Sequence, residues 1–567
     1  MITMQTIFNE IKRHKQVLIW ANLVAIFSTL ITVPVPLLIP LLIDEIILGK
    51  GGAVTDTIDQ YLTIGSPEYY ILTVLLITLF LKAVSLFLNL IHIRLFTKIS
   101  KEVTYSIRKR LLNHLQTVSM SEYDMLGSGA VSAKVITDVD TVDKFVASSV
   151  GEIVVELLTL VSISAVILYL NWQLALVILL LNPLAMAFYL NIFRKVAKIK
   201  KRENQAIEIF QNALTESLEL YNQIRVQNRE VYFLNDIDKK AKEIRDKGYQ
   251  FGLKSEMALE FSRMLIMYSH DIFRATGILM VFLGILTIGK MLAIFAYAWI
   301  IMRPVDKLMN FTHLYFNAKS SIERLNELLE LHSEPKYEAK VDPFKGKKTA
   351  SIRLENLSFS YDGKTDVLKN INLNIEAGER VAIIGETGSG KSTLAQILIG
   401  LYPISLGNIY FNEHEIREIG YDKIRENVGF VLQSPLMFNN TLRFNLTLGK
   451  EYSKEAIYEV LKVAQLYDFV KGLENGLDTV VGKNGTKLSG GQKQRLSIAR
   501  VLLDNPKVII FDESTSSLDN ETEDKLLKAL EKHIEGKTTI TIAHRRNSID
   551  KADRVINLNK LIETEQG

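Results

Sequence analysis

The chain predicts an all-α membrane domain of six spanning helices with long cytoplasmic helical extensions, followed by a soluble α/β domain. Three observations predict it. No charged side chain occurs from Gln16 to Ile43, nor from Leu157 to Phe193, and about 20 apolar residues cross a hydrocarbon core of about 30 Å. Beyond residue 350, strand-like runs such as RVAIIG and KVIIFD alternate with helical ones. A glycine-rich stretch, GETGSGKST, stands between one such strand and a helix.

Residues 4 to 15, MQTIFNEIKRHK, read as an amphipathic helix on the inner membrane surface. Six spans follow at about 17–46, 70–95, 146–170, 173–193, 266–286 and 291–313. The first is too long for a signal-peptide core and stays in the protein. Lys and Arg crowd the segments before the first span and after the second and fourth, so these face the cytoplasm, as do both termini and the soluble domain. The alternate segments, including NWQ and TIGK, are short and face outward. Two cytoplasmic connections keep apolar residues three and four apart, extending the helices roughly 30–40 Å below the membrane.

The predicted membrane domain covers residues 1–318, a linker 319–350 and the soluble domain 351–567. With 67 basic and 63 acidic side chains the net charge is only +4, which says little about partners, and no nucleic-acid partner is expected. The chain has no cysteine, which excludes disulfides, thiol catalysis and Cys-ligated metals.

The soluble half carries the chemistry. Gly385, Glu386, Thr387, Gly388, Ser389, Gly390, Lys391, Ser392 and Thr393 follow the strand VAII and open the helix STLAQILIGL. That is the setting of a phosphate-binding P-loop. Its backbone N–H groups and helix N-terminus face phosphate, with Lys391 on the β- and γ-phosphates and Ser392 on Mg²⁺. The strand VIIFDEST ends in Asp512, placed to hold Mg²⁺, and Glu513, placed to orient and deprotonate an attacking water. Ser489, Gly490, Gly491 and Gln492 form a second phosphate-binding turn at the head of another helix. One triphosphate already has its loop, so the second turn would cap a nucleotide held by another copy.

These stretches, in this order, resemble the ATP-binding cassette proteins: Tyr361, the P-loop, Gln433 in VLQSPLMFNN, LSGGQ, VIIFDE, SSLD and His544 in TIAHRR. The resemblance spans the whole chain. It implies that Tyr361 stacks on adenine, Gln433 ligates Mg²⁺ and senses the membrane domain, Asp519 contacts the partner subunit and His544 contacts the γ-phosphate, with ATP and Mg²⁺ as cofactors. Membrane half first, the arrangement is similar to exporters whose subunits each fuse six helices to one cassette. YDMLGSGAVSAKVITDVDTV resembles their first coupling segment, and residues 210–225 stand as the second. KNG at 483–485 departs from the usual Glu-Arg-Gly, and IAHRRNS from IAHRLST. No peptidase domain precedes the first span, so cleavage of a leader peptide is not expected.

One P-loop and one signature turn per chain imply a dimer. Intact Glu513 and LSGGQ in a single chain favour a homodimer, with a heterodimer as the alternative. The expected function is ATP-driven export or flipping by alternating access, in a bacterial inner membrane. An ATP-gated channel shares every motif and is the rival reading. A soluble cassette ATPase would lack the six spans.

Charged residues recur inside the spans, where each costs roughly 2.5–3.5 kcal/mol at the bilayer centre. Helical spacing aligns Lys82, Ser85, Asn89 and His92; Glu152, Glu156 and Thr159; His270 and Arg274; and Trp299, Arg303, Asp306, Asn310 and His313. Such faces line a bundle interior or a wet cavity. Lys82, His92, Glu152, Glu156, His270, Arg274 and Arg303 are therefore the expected substrate-cavity residues, with Asp271–Arg274 pairing as the alternative for that pair. The cargo they suit is amphipathic: a lipid, a glycolipid, a peptide or another small molecule in contact with membrane lipid.

Overall fold

The computed structural model describes residues 1–49, 53–61, 67–126, 128–361, 363–543, 545 and 549–559. Helices precede the first strand: α1 (Met4–Arg13), α2 (Lys15–Thr32), α3 (Val35–Leu42), α4 (Ala53–Tyr61), α5 (Pro67–Leu115), α6 (Met120–Leu126), α7 (Ser128–Ala133), α8 (Val139–Lys144), α9 (Gly151–Leu170), α10 (Trp172–Glu219), α11 (Tyr221–Val226), α12 (Glu230–Phe282), α13 (Ile288–Ile300) and α14 (Met302–Leu329). The chain divides into two compact units, one of residues 1–111 and 132–327, the other of residues 112–131 and 328–567.

The helices α5, α10 and α12 run 49, 48 and 53 residues without a break, and all but the last turn of α5 belongs to the first unit. At 1.5 Å per residue each is roughly 70–80 Å long, more than twice a hydrocarbon core. Four helical runs among the described residues, Lys15–Ile46, Pro67–Leu115, Val131–Leu170 and Glu230–Phe282, are long and apolar enough to cross a membrane. At most 31% of each apolar stretch is buried within the chain, so most of it faces outward where lipid would cover it.

Two expected spans are interrupted. The first breaks at Val33–Pro34, since Pro34 has no N–H to continue the ladder, and resumes as α3 before a π-helical turn at Ile43–Ile47. The sixth divides at Ile301 between α13 and α14, with Pro304 in the first turn of α14, where helical N–H groups lack partners in any case. The expected fifth span ends earlier, α12 stopping at Phe282 before a turn in which Gly284 adopts φ +69°.

The apolar stripe of α1 is buried in the protein through Ile7 and Ile11, and Thr3 caps the helix in a reciprocal bond with Thr6. The Ile2 backbone N–H donates to Asn326 Oδ1 (2.6 Å), and Asn326 Nδ2 donates to the Ile2 carbonyl (2.7 Å), which ties this end of the chain to α14. Arg324 of α14 forks onto Asp138, which is 6% exposed. The main apolar core joins α9, α10, α12 and α13 through Ile163, Ile167, Leu174, Phe273, Ile294 and Tyr297.

A buried carboxylate closes the head of α13. Asp44 accepts from Thr287 Oγ1 (2.5 Å) and from the Gly289 N–H (2.9 Å), satisfying donors that a helix start leaves open. A Cβ on Gly289 would lie 2.5 Å from both Asp44 Oδ2 and the Pro40 carbonyl oxygen. Gly289→Ala is therefore expected to push α3 from α13 and cost about 1–3 kcal/mol. Thermal unfolding in detergent checks it, and a transition no lower than wild type would show that the contact yields.

The second unit holds strands β1 (Ile352–Ser360), β2 (Asp366–Ile375), β3 (Arg380–Ile384), β4 (Leu406–Phe411), β5 (His414–Glu415), β6 (Val428–Val431), β7 (Val508–Asp512), β8 (Thr538–Ile542) and β9 (Arg554–Asn557). Its helices are α15 (Lys391–Leu398), α16 (Ile416–Ile419), α17 (Tyr421–Asn427), α18 (Leu442–Thr447), α19 (Lys454–Val463), α20 (Tyr467–Lys471), α21 (Gly490–Leu503) and α22 (Asn520–His533). An antiparallel sheet runs β2-β1-β4-β5, and a parallel sheet runs β6-β7-β8-β3-β9. The unbroken apolar runs of β3 and β7 suit strands covered on both faces. Parallel register sets Asp512 beside Ile542 and Ile383 beside Ile542, bringing the carboxyl ends of β7, β8 and β3 together. Ligands of open parallel sheets bind at such ends.

The segment 112–131 belongs with this unit. Ser119 N–H donates to the His332 carbonyl (2.9 Å) and Glu334 N–H to the Thr117 carbonyl (2.7 Å), so the segment is laced to the strand-like stretch after α14.

Candidate functional site

The loop from Gly385 to Gly390 leaves β3 and enters α15. Gly388 (φ +87°) and Gly390 (φ +89°) hold left-handed backbone, and a Cβ on Gly390 would also meet Leu368 at 2.7 Å. Lys391, 6% exposed, curls its ammonium over the loop, donating to the Gly385 (3.0 Å) and Glu386 (2.7 Å) carbonyls. A cation thus stands over a turn at a helix N-terminus, an arrangement that attracts phosphate.

Ser392 Oγ donates to Asp512 Oδ1 at 3.1 Å, and Asp512 is 4% exposed. Burial pushes its carboxyl above the usual range, with the adjoining Glu513 charge adding to this, while the Ser392 hydrogen bond and Lys391 oppose it. A hydroxyl beside a buried carboxylate is an oxygen donor set suited to a hard divalent cation completed by phosphate and water. Among the described residues no cluster of three or more His, Cys, Asp or Glu forms a metal cage by itself.

Glu513 follows Asp512 with φ +44°, unusual for a side chain that is not glycine, and its N–H donates to the Ile542 carbonyl (3.2 Å). Gln433 Nε2 donates to Glu513 Oε2 at 2.6 Å. The two residues that sequence assigned to water activation and to sensing are therefore in direct contact. His544 lies outside the described residues, as do the side chains of Asp306 and His313.

Tyr361 is half-exposed at the other edge of the loop. Its ring is held edge-on by Phe359 (4.9 Å between centroids) and Tyr402 (5.2 Å), and its hydroxyl pairs with Thr393 Oγ1 (3.0 Å). Such support leaves an aromatic surface free beside the P-loop helix.

Ser489 and Gln492 form a reciprocal capping box at the start of α21. A Cβ on Gly491 would come within 2.8 Å of Leu518 and 3.2 Å of the Ser517 carbonyl, which explains the small residue there. Asp519 caps α22 by accepting from the Thr522 N–H (2.9 Å); that backbone bond, above all, holds its carboxyl below the usual range. In KNG, Asn484 takes φ +51°, which asparagine tolerates, and Gly485 takes φ +67°.

Sequence reasoning missed Gln494. Buried at 2% exposure, its amide donates to the Gln433 carbonyl (3.1 Å) and Ser516 Oγ (3.0 Å), and its oxygen accepts from the Ser517 N–H (3.0 Å). It ties the Gln433 loop to the α21 helix and to the turn before α22. A polar residue on the apolar face of a helix is the only signal that could have marked it.

In the membrane unit, Glu152 and Glu156 of α9 meet Lys307 and Arg303 of α14 at 2.5 and 3.5 Å. A narrow recess lies there, lined by Ser148, Glu152, Glu156, Lys307, Asn310 and Phe311. The Glu156 side chain is 5% exposed and that of Arg303 70%, so the carboxylate lies behind the cation. His92 is buried against Phe96 (5.0 Å). The other three expected cavity residues lie apart from these contacts. Lys82 is exposed on α5, His270 packs edge-on against Trp299 (5.2 Å), and Arg274 sits 3.8 Å from Asp271 on an exposed face of α12. Lys307 was not among the expected cavity residues.

A helical membrane region, a P-loop beside paired carboxylates at parallel strand ends, and a second capped Ser-Gly-Gly turn together define the class, and the chain belongs to the ABC transporters. Residues 18–305 match the family described as the ABC transporter transmembrane region, and residues 368–516 the family described as ABC transporter. It is an integral membrane protein with an ATP-hydrolysing cassette on the same chain. Among its relatives, a putative multidrug export ATP-binding/permease protein of Bacillus subtilis (strain 168) is 30% identical, over 96% of this chain and 93% of the relative. An ATP-dependent lipid A-core flippase of Syntrophus aciditrophicus (strain SB) is 32% identical, over 83% and 78%. The fold is shared with a bacterial Atm1-family ABC exporter with ATP bound, at a TM-score of 0.81 and 23% identity over 96% of this chain and 93% of that one.

Proposed function

We propose that two copies of this chain form a homodimeric exporter or flippase of the bacterial inner membrane, moving an amphipathic substrate by ATP-driven alternating access. The observation that carries it is the Ser392–Asp512 and Gln433–Glu513 pairing at adjoining strand ends, on a chain whose other unit exposes long apolar helices. Lys391 and the loop N–H groups hold the β- and γ-phosphates, and Tyr361 takes the adenine on its free face. Ser392, Asp512 and Gln433 would hold Mg²⁺, which supplies charge neutralisation at the phosphates when bound. Glu513 orients water for in-line attack and takes its proton, and His544 contacts the γ-phosphate. Ser489 to Gln492 and Asp519 of one copy face the nucleotide of the other, which accounts for two phosphate-binding turns on one chain. The six expected spans cross the membrane, and the segments near residues 120–140 and 210–225 couple cassette closure to rocking of the helix bundles.

Arg303 and Lys307, each backed by a carboxylate, form the polar wall of the substrate path. An acidic or zwitterionic headgroup on an apolar body suits it better than a wholly apolar molecule. The test is ATPase stimulation in reconstituted vesicles by lipids, glycolipids, peptides and apolar drugs in turn. Arg303→Ala is expected to raise the substrate concentration for half-stimulation roughly tenfold or more, the worth of one charge-assisted contact. Stimulation identical to wild type for every acidic amphiphile would remove Arg303 from the path.

A further inference from the structure

Tyr402, between α15 and β4, is 7% exposed and belongs to no phosphate-binding motif. Its ring packs edge-on against Tyr361 (5.2 Å, 87°) and at a tilt against Phe359 (5.8 Å). A buried phenol hydroxyl needs an acceptor. The one it has is distant in sequence: Asp124 Oδ2 in α6, at 2.7 Å. Burial, then the bond to Asp124, raises the phenol well above its ordinary range, in keeping with a hydroxyl that donates to a carboxylate. Asp124 is itself anchored, because the 112–131 segment is laced to residues 332–334 and Arg425 joins Glu334 to the Gly400 carbonyl beside Tyr402. A continuous line of contacts therefore runs Thr393, Tyr361, Tyr402, Asp124, and α6 is joined covalently to the end of α5 through residues 116–119.

We propose that Tyr402 is a positioning residue through which the Met120–Leu126 helix reads the nucleobase seated on Tyr361, separately from the phosphates held by the Lys391 loop. This rests on the ATP reading of Tyr361 given above. A stacked base fixes the Tyr361 ring, the ring edge fixes Tyr402, and the Tyr402 hydroxyl transmits the constraint to Asp124. Of these four residues only Thr393 belongs to the phosphate-binding stretch. A triphosphate without a base should fill the loop and leave α6 unmoved.

The absence of native cysteine makes the test direct. Met120, exposed at the head of α6, is replaced by Cys in the full-length protein in lipid nanodiscs and labelled with a polarity-sensitive fluorophore. Mg-ATP is expected to shift the emission, while inorganic triphosphate, binding in competition with ATP, is expected not to. Tyr402→Phe keeps the ring and removes the hydroxyl; it should abolish the shift while weakening ATP binding only about 2- to 10-fold, the worth of one hydrogen bond. Asp124→Asn, which keeps an acceptor oxygen, should preserve most of the shift, and Asp124→Ala should lose it. Wild-type emission change in Tyr402→Phe with ATP bound, or an equal change with inorganic triphosphate, would overturn the proposal. A wild-type protein that binds ATP with no shift sinks the relay alone, and one that binds no ATP sinks the nucleotide reading with it.

Discussion

Glu513→Gln is expected to lower ATP turnover by about 10²–10⁴-fold, the usual contribution of a general base, while ATP binding stays near wild type. The amide keeps the length of the side chain and an oxygen that can still accept from Gln433 Nε2, so the contact seen at 2.6 Å survives. It lacks the basic oxygen that takes a proton from water. Lys391, whose ammonium sits over the loop, is untouched, and the left-handed backbone at 513 is no harder for Gln than for Glu. Phosphate release and nucleotide binding, measured on the same preparation, separate the two effects. Phosphate release at the wild-type rate would mean that another group activates the water.

Lys391→Ala and Ser489→Arg are each expected to silence a homodimer, and their mixture is expected to recover activity. Removing the Lys391 ammonium deletes charge-assisted contacts to phosphate and should weaken ATP binding on the order of 100-fold. An arginine at 489 forfeits a helix cap, costing about 1 kcal/mol, too little to unfold the cassette, but it fills the turn that faces the partner's nucleotide. In a mixed dimer one site carries both lesions and the other carries neither. Co-expression and random pairing should then restore roughly a quarter of wild-type ATPase, from the two-fold symmetry of the assembly. No recovery in demonstrably mixed dimers would place both turns of one chain on one nucleotide and remove the shared site.

What was legible beforehand is what depends on neighbours in sequence. The P-loop was readable because strand, glycine turn, Lys391 and Ser392 are contiguous, and Asp512 with Glu513 because they end an apolar strand. In the membrane unit, the breaks at Pro34 and Ile301 divided two expected spans, because a proline interruption is not visible in apolar spacing. For the charges of the expected spans, spacing could not tell which would meet, and the set from Trp299 to His313 is divided between α13 and α14. Glu152 and Glu156 found Lys307 and Arg303, while His270 found an aromatic neighbour and Lys82 stayed exposed. Gln494 escaped because its partners come from two segments of the chain distant from each other, Gln433 and Ser516–Ser517.

The sequence by itself determined the class of chemistry. Periodicity, turn residues and strand–loop–helix context are local, and local order sets which backbone groups and which side chains are offered to a phosphate. Tertiary structure alone decided who touches whom across long separations: Tyr402 with Asp124, Gln433 with Glu513, Glu156 with Arg303, and residues 112–131 with the cassette rather than the membrane unit. The reason is that a buried hydroxyl, amide or charge must find a partner in space, and which one it finds depends on how whole helices and sheets pack, which no stretch of neighbouring residues encodes.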